Sequence, residues 1–368
     1  MLAILASLGV GVSFTGNEVC LCTRQVDQYH VPDDLMREMR SGIFLLGPLL
    51  GRLGKVRVCY PGGCAIGPRP INLHLKGLRA LGAEVEERNG YIELTGWLKG
   101  ARIGLNYPSV GATENLMLAA VMAKGETVLY NAAREPEIVD LQNFLNTIGA
   151  RISGAGSSTI FIKGVKELTG GSYRVFPDRI VSGTLLIAAA ITGGQLVLED
   201  VVSGHLEAVI SLLQQCGAQI YTGENMIYIR GGEISAVPLV CTSPYPGFPT
   251  DLQAPYTVLM ALARGGSLII EKVFKERFGH IPELQKMGAR VTLKNGHVVI
   301  SGVPYLTGAQ VEATDLRAGA ALVLAGLAAR GQTVIKGARY IDRGYDNLPL
   351  ALTRLGADIE RVGALPVN

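Results

Sequence analysis

One pattern recurs six times along the 368 residues and constrains the fold more than any other feature. An apolar helical run ends at a glycine followed by Ala or Val, and two alternating strand-like runs joined by a polar turn come next. Successive glycines lie 73, 67, 68, 71 and 68 residues apart. They are Gly9, Gly82, Gly149, Gly217, Gly288 and Gly356. Six copies at one period indicate a chain built from one repeated unit.

The third and fifth copies show how this unit is expected to fold. Apolar residues at 141, 144, 145 and 148 fall on one face of a helix that Gly149 ends. Lys294-Asn295-Gly296 predicts a tight hairpin between two strands. An Ala/Leu-rich helix, a glycine and a β-branched strand precede several copies. The unit therefore reads helix-strand-helix-strand-strand, and the fold class is α/β (α+β).

The length of the repeat favours two globular lobes over a solenoid, because solenoid repeats usually span about 20–45 residues. We expect an N-terminal lobe of residues 1–176 and a C-terminal lobe of residues 177–368, each of three units, with a ligand site between them. The first unit is incomplete. Met1 to Leu8 is therefore interpreted as the core-facing end of a helix rather than as a signal peptide, since no basic segment precedes it.

Composition excludes several classes of protein. Hydrophobic residues make up 48% of the chain and charged residues 18%, which rules out a disordered chain. The net charge of +3 and the absence of a Lys/Arg run do not favour a nucleic-acid partner. No apolar stretch reaches the roughly 18 residues of a membrane span, so we expect a cytoplasmic protein. The six cysteines match neither a dense disulfide framework nor a zinc site.

The segments that interrupt the repeat are the candidates for chemistry. Five Gly or Pro residues lie within four positions of Cys64, which predicts a mobile loop with a thiol near its tip. Arg69 would lower the pKa of that thiol or hold an anion, although an incidental loop cysteine fits equally well. Asp251 lies in a Pro-rich turn among apolar residues, and a role in the turn is as consistent with the sequence as a chemical one.

Three loop arginines point to an anionic ligand. Arg277, Arg317 and Arg343 each follow or precede a carboxylate or aromatic residue in a loop. A single loop arginine is more often solvated or salt-bridged. Together they suggest a small polyanion, because guanidinium groups bind phosphate and carboxylate in a bidentate manner.

These segments resemble those of the enolpyruvyl transferase family, in particular the branch that acts on UDP-N-acetylglucosamine. The resemblance covers the whole chain and runs in family order. It is carried by residues 61–64, 69–70, 109–113, 131–140, 177–179, 249–251 and 341–345. It implies an inside-out α/β barrel in each of two lobes, three similar units per lobe, an active site in the cleft, and no cofactor or metal.

The resemblance also implies a reaction. The 3-hydroxyl of UDP-N-acetylglucosamine adds to C2 of phosphoenolpyruvate, and phosphate then leaves. Cys64 would be the general acid, able to form an adduct with phosphoenolpyruvate, and Asp251 the base that takes the hydroxyl proton. The remaining residues would bind substrate: Arg40, Arg69, Arg277, Arg317 and Arg343 the anions; Pro70, Ile71, Asn72 and Leu73 the uracil; Ser109, Val110 and Gly111 the diphosphate; and Val273 the sugar nucleotide.

The chain departs from the family pattern in three places. Asn72 stands where relatives usually carry Asp, and Tyr107-Pro108 stands where many carry Lys. An N-terminal Gly-x-Lys-Asn motif is absent. We therefore expect an N-terminally truncated sequence, poorly soluble and of low activity alone, that roughly fifty upstream residues would restore. Two alternatives remain open: a non-catalytic relative that binds UDP-sugar, and the 3-phosphoshikimate enolpyruvyl transferase. The oligomeric state is unknown.

Overall fold

The computed structural model describes residues 1–62, 66–67 and 69–363, which form two compact units. The first comprises residues 1–62 and 69–175, and the second comprises residues 66–67 and 176–363. The chain passes from one unit to the other between Val175 and Phe176. Each unit is built from consecutive copies of the repeat.

The first unit holds the first three copies of the repeat. The first copy has α1 (Leu2–Ser7), β1 (Gly11–Thr15) and β2 (Glu18–Cys22), and α2 (Asp33–Glu38) and a 3₁₀ helix (Arg40–Leu45) follow. The second has α3 (Leu46–Leu53), β3 (Lys55–Cys59), α4 (Asn72–Ala80), β4 (Glu84–Arg88) and β5 (Tyr91–Thr95). The third has β6 (Arg102–Gly104), α5 (Val110–Ala120), β7 (Glu126–Tyr130), α6 (Pro136–Thr147), β8 (Arg151–Ser153) and β9 (Thr159–Lys163).

The second unit holds the other three copies. The fourth copy has α7 (Arg179–Thr192), β10 (Gln195–Glu199), a 3₁₀ helix (Ser203–Leu206), α8 (Glu207–Gln215), β11 (Gln219–Gly223) and β12 (Met226–Arg230). The fifth has β13 (Leu239–Cys241), a 3₁₀ helix (Thr250–Leu252), α9 (Gln253–Leu262), β14 (Gly266–Ile270), α10 (His280–Lys286), β15 (Arg290–Lys294) and β16 (His297–Ser301). The sixth has β17 (Leu306–Thr307), β18 (Gln310–Glu312), α11 (Leu316–Ala328), β19 (Ala329–Arg330), β20 (Val334–Lys336), a 3₁₀ helix (Ala338–Arg343) and α12 (Leu348–Arg354).

Four copies share one antiparallel sheet topology. The second hairpin strand lies between the first strand of the copy and the first hairpin strand, giving the orders β3-β5-β4, β7-β9-β8, β10-β12-β11 and β14-β16-β15. Three further strands, β6, β13 and β18, pair in parallel with β7, β14 and β20. The repeat pattern did not predict these added strands, because each is only three residues long.

A backbone hydrogen bond between two glycines recurs in the same four copies. In each, the glycine after the second hairpin strand donates its N–H to the carbonyl of a glycine between the first helix and first strand, over 2.8–2.9 Å. The pairs are Gly96 to Gly54, Gly164 to Gly125, Gly231 to Gly194 and Gly302 to Gly265. At Gly164, Gly231 and Gly302 a Cβ atom would lie within 3.0 Å of backbone atoms, so these three positions leave no room for a side chain.

The helices form the interior of each unit and the sheets cover them. In the second unit α7, α9 and α11 pack against one another, and every residue of α9 from Gln253 to Ala261 is buried. In the first unit α5 packs against α3 and α4. Burial alternates along the strands, as in β16, where Val298 and Ile300 are buried while Val299 and Ser301 are exposed. One sheet face therefore meets the helices and the other meets solvent.

The structure corrects two details of the sequence interpretation and agrees with a third. Phe144 was placed on the buried face of α6, but it is 40% exposed and contacts Tyr173 edge to face. No hairpin follows α12 in the sixth copy within the described residues. In the first copy, Ile4 of α1 and Leu8 directly after it are buried, as expected for the core-facing end of a helix, while Met1 is 40% exposed and Phe14 on the β1–β2 hairpin is 65% exposed. Within the described residues, no helix has the length and apolar composition needed to cross a membrane.

The glycine contact leads to a stability prediction. A Cβ atom on Gly302 would lie 1.7 Å from the carbonyl oxygen of Ala263, a backbone atom that cannot rotate away. Gly302→Ala should therefore destabilise the protein by roughly 1–3 kcal/mol or more in urea unfolding. Gly204→Ala is the matched control, since a Cβ there meets nothing within 4 Å. Equal unfolding midpoints for the two variants would contradict this account of the repeat.

Candidate active site

Asp251 forms an ion-pair cluster with two arginines in the second unit. It lies in the 3₁₀ turn before α9. Its Oδ1 accepts hydrogen bonds from Nε of Arg317 at 3.0 Å and from Nη1 of Arg277 at 3.3 Å. Three candidates from the sequence thus meet at one point, although Arg277 and Arg317 lie 40 residues apart in the chain.

The N-terminal turn of α11 fixes the position of Arg317. Asp315 caps this helix by accepting hydrogen bonds from the backbone N–H groups of Arg317 and Ala318. Nη1 of Arg317 also donates to the Tyr345 hydroxyl at 3.3 Å, and that hydroxyl lies 2.9 Å from the hydroxyl of Thr184. Contacts from α7 and from the turn after the last 3₁₀ helix therefore hold the guanidinium beside Asp251.

The arginines keep Asp251 ionised. Burial by itself would raise the pKa of the carboxyl, but the charges of Arg277 and Arg317 outweigh burial and hold that pKa well below its usual range. The same pairing raises the pKa of Arg317 despite its burial. A carboxylate flanked by two guanidinium groups provides a proton acceptor next to an anion-binding pair.

Arg277 is almost fully enclosed, with 7% of its surface exposed. Its guanidinium carbon lies 4.6 Å from the centre of the Phe274 ring, and Nη1 also donates to the Thr250 hydroxyl at 3.0 Å. His280 is buried nearby. Burial and the charge of Arg277 lower the pKa of His280 to about 3, so its imidazole is neutral at physiological pH.

A second cationic cluster lies in the first unit. Arg40 opens the 3₁₀ helix before α3, and its Nη2 donates a hydrogen bond to the backbone carbonyl of Arg69. Burial and the charge of Arg69 lower the pKa of Arg40 to about 10. Two neighbouring guanidinium groups repel each other, and a bound anion would relieve that repulsion.

His74 lies beside these arginines, and hydrogen bonds of Asn115 determine which of its ring nitrogens carries the proton. Oδ1 of Asn115 accepts from the N–H of Gly47 at 2.9 Å, and Nδ2 donates to the carbonyl of Ile43 at 3.0 Å. The second Nδ2 hydrogen is then directed to Nδ1 of His74, 3.1 Å away. Nδ1 is the acceptor, so the neutral ring carries its proton on Nε2. Burial and the charges of the two arginines lower the pKa of His74 to about 4.

The beginning of α5 lies against this histidine. Ser109 caps the helix, with its Oγ accepting from the N–H of Ala112 at 3.3 Å, and Val110 and Gly111 follow in the first turn. A Cβ on Gly111 would lie 3.4 Å from Cε1 of His74, so glycine leaves the ring close to the helix backbone. Backbone N–H groups at a helix N-terminus favour phosphate oxygens.

The other predicted site residues lie outside these two clusters. Pro70, Ile71, Asn72 and Leu73 lead into and begin α4, with Ile71 buried and Pro70 and Asn72 exposed. Val273 lies in the turn after β14, and Arg343 is exposed at the end of the last 3₁₀ helix. Cys64 lies outside the described residues, so its role stays a prediction. Among the residues that the structure describes, no group of three or more His, Cys, Asp or Glu side chains could hold a metal ion.

Sequence reasoning missed several residues of these clusters. Glu271, which accepts a hydrogen bond from the Thr250 hydroxyl beside Arg277, is a single carboxylate after an apolar strand, and His74 lies on the apolar face of a helix. Either pattern is common in ordinary cores and surfaces. Their partners come from distant parts of the chain, as Asn115 does for His74, so no local spacing marks them.

The depressed pKa of His74 predicts how stability depends on pH. Between pH 6.5 and about 4 the unfolded chain takes up a proton on His74 that the folded chain does not. Stability should therefore fall as pH falls through this window. His74→Gln should reduce the slope by up to about 1.4 kcal/mol per pH unit in urea unfolding. An unchanged slope in His74→Gln would contradict the assignment.

Comparison with known proteins places this geometry in a family. Residues 1–352 match the family model described as EPSP synthase (3-phosphoshikimate 1-carboxyvinyltransferase). A UDP-N-acetylglucosamine 1-carboxyvinyltransferase 2 from Caldanaerobacter subterraneus is 51% identical over 98% of this chain and 87% of its own. One from Geobacter metallireducens is 50% identical over 98% of this chain and 86% of its own.

Solved structures agree with that placement. The enolpyruvyl transferase NikO from Streptomyces tendae superposes with a TM-score of 0.84 at 25% identity, covering 97% of this chain and 86% of that one. EPSP synthase from Acinetobacter baumannii, at 21% identity, has a TM-score of 0.69 over 96% of this chain and 86% of its own, and it supports the fold alone. The chain belongs to the enolpyruvyl transferase family.

Proposed function

We propose that this protein transfers the enolpyruvyl group of phosphoenolpyruvate to the 3-hydroxyl of UDP-N-acetylglucosamine and releases phosphate. The observation that carries the proposal is the Asp251 carboxylate held between Arg277 and Arg317, in a chain 51% identical to a protein named for this reaction. The cluster combines a proton acceptor with two cations for a substrate that bears a carboxylate and a phosphate.

The reaction consists of an addition and an elimination. The sugar oxygen forms a bond to C2 of phosphoenolpyruvate, its proton passes to Asp251, and Cys64 delivers a proton to C3. The C2–O bond to phosphate then breaks while C3 loses a proton, which restores the double bond and leaves an enolpyruvyl ether. Arg277 and Arg317 stabilise the negative charge that moves between carboxylate and phosphate. Arg343 is the third cation of this set.

The arginines would also make the basicity of Asp251 depend on substrate binding. A carboxylate whose pKa lies well below its usual range is a weak base. Phosphoenolpyruvate brings several negative charges to the same guanidinium groups, which offsets their pull on Asp251 and raises its pKa. The base would therefore gain strength only once the second substrate is in place.

The first unit would bind the nucleotide end of the other substrate. The helix start at Ser109, Val110 and Gly111 suits the diphosphate, and residues 70–73 suit the uracil. Arg40 and Arg69 add positive charge, while neutral His74 adds a hydrogen-bond donor. Asn72 and Tyr107 mark where the contacts would differ from those of relatives. We assign residues 1–176 to a lobe that carries the Cys64 loop and residues 177–368 to a second lobe.

The proposal implies a biological setting. An enolpyruvyl ether of UDP-N-acetylglucosamine is a precursor of peptidoglycan, so we assign the protein to the cytoplasm and to cell-wall synthesis, with its links to cell shape and division. Both substrates are small molecules.

Asp251→Asn tests the assignment. The variant keeps the shape of the side chain but removes its basicity, so phosphate release by the protein should fall roughly 10²–10⁴-fold. The Kd for UDP-N-acetylglucosamine, measured by calorimetry, should change far less. Glu233→Gln is the control, since it breaks an exposed pair with Arg264 in the same unit. Its turnover should match that of the native protein.

Three outcomes would contradict the proposal or its assignment of Asp251. Phosphate release with 3-phosphoshikimate but not with UDP-N-acetylglucosamine would assign the chain to the other enolpyruvyl transferase. Tight binding of UDP-N-acetylglucosamine without phosphate release would identify a non-catalytic relative. Native turnover in Asp251→Asn would reassign that residue to the turn.

A further inference from the structure

We infer that Glu271 is a positioning residue that fixes the guanidinium of Arg277 through two separate routes, one from each carboxylate oxygen. The inference rests on the proposed function, because it concerns the orientation of an arginine assigned to phosphoenolpyruvate. Glu271 follows β14 directly and is 5% exposed. Among the described residues, no hydrogen bond or ion pair joins Glu271 to Asp251, so it would act through other side chains.

The first route starts at Oε1, which shapes the turn after β14. This oxygen accepts hydrogen bonds from the backbone N–H groups of Val273 at 2.7 Å and Phe274 at 2.9 Å, and from the Thr242 hydroxyl at 2.8 Å. The Thr242 oxygen in turn accepts from the N–H of Lys272 at 2.9 Å. The carboxylate therefore accepts hydrogen bonds from backbone N–H groups of the turn that have no partner in a neighbouring strand.

This turn contacts Arg277 through Phe274. The Phe274 ring lies 4.6 Å from the guanidinium carbon of Arg277, and the Phe274 carbonyl accepts from the N–H of Arg277 at 3.0 Å. By fixing the backbone at Phe274, Oε1 fixes the aromatic face on which the cation lies. The same oxygen fixes Val273, the residue assigned to the sugar nucleotide.

The second route runs through Thr250, and its polarity is determined by the groups themselves. Nη1 of Arg277 donates to the Thr250 hydroxyl at 3.0 Å, and an arginine cannot accept in return. The hydroxyl proton must then point elsewhere, and Oε2 of Glu271 accepts it at 2.9 Å. The hydrogen-bond chain from Arg277 through Thr250 to Glu271 therefore has only one direction, and both oxygens of Glu271 act as acceptors.

Asp251 and Glu271 thereby each determine part of the orientation of the Arg277 guanidinium. Asp251 and Thr250 share the same Nη1, and Nε of Arg277 is buried with no hydrogen-bond partner among the described residues. Glu271 therefore supplies the part of the orientation that persists when Asp251 changes its protonation. A catalytic base that gains and loses a proton cannot hold its own cation steady, and a second fixed carboxylate can.

Glu271→Gln separates the two routes. The amide oxygen can still accept the three donors at Oε1, whereas Nε2 would face the Thr250 hydroxyl and leave its proton without an acceptor. We expect kcat for phosphate release to fall by about 10²-fold or less, with KM for UDP-N-acetylglucosamine changed by under about 3-fold. Thr250→Val should give a similar loss of kcat, and Thr250→Ser should recover most of it. The double variant should be no worse than the poorer single variant.

Glu283→Gln is the matched control for stability. Glu283 is another buried carboxylate of the second unit, and it accepts from Lys286 and from the N–H of Glu312. A similar fall in kcat in this control, equal losses in Thr250→Ser and Thr250→Val, or native kcat in Glu271→Gln would overturn the inference.

A crystallographic readout keeps the inference independent of turnover. In crystals of Glu271→Gln and Thr250→Val, the guanidinium of Arg277 should move from its position beside Asp251, and in Glu283→Gln it should stay. An inactive native protein would refute the proposed function, and the position of Arg277 would still decide the role of Glu271. An unmoved guanidinium in both variants would overturn it.

Discussion

A carboxylate held between two guanidinium groups is the interaction on which the account of the second unit depends. Asp251 is ionised because Arg277 and Arg317 compensate the cost of its partial burial. Each arginine is in turn held by a further contact, Arg317 by Tyr345 and Arg277 by Thr250. Residues from three copies of the repeat therefore meet in one network of hydrogen bonds. Because paired charges and satisfied donors tolerate little displacement, this network requires a rigid scaffold.

The repeat supplies that scaffold through backbone geometry. In four copies a hydrogen bond between glycines joins the end of a hairpin to the end of a helix, so sheet and helix keep a fixed spacing. The site residues then lie where the repeat changes. Asp251 and Thr250 lie in the turn before α9, Glu271 directly follows β14, and Arg317 lies in the first turn of α11. Element ends carry the chemistry, since their backbone groups are not all used by helix or sheet.

Much of this architecture can be predicted from the sequence, because the repeat of about seventy residues is long enough to show the periodicity of helices and the alternation of strands. The helix-strand-helix-strand-strand order holds in four copies, and the Asn295-Gly296 hairpin forms as predicted. The parallel strands β6, β13 and β18 were missed because three residues carry no periodic signal. Asp251, Arg277 and Arg317 were candidates through their residue types and a resemblance. Glu271 and His74 were not, since each depends on partners that only the tertiary fold brings near. Cys64 lies outside the described residues, and its role stays a prediction.

The central claim is that anion binding at Arg277 and Arg317 converts Asp251 from a weak base into an effective one. The most direct test is the carboxyl carbon chemical shift of Asp251, followed against pH in isotope-labelled protein and assigned by its absence in Asp251→Asn. Without phosphoenolpyruvate, the account predicts no titration of this signal above about pH 4. With phosphoenolpyruvate bound, the pKa should rise far enough for the signal to titrate above about pH 4. A signal that still shows no titration above about pH 4 with phosphoenolpyruvate bound would contradict the account.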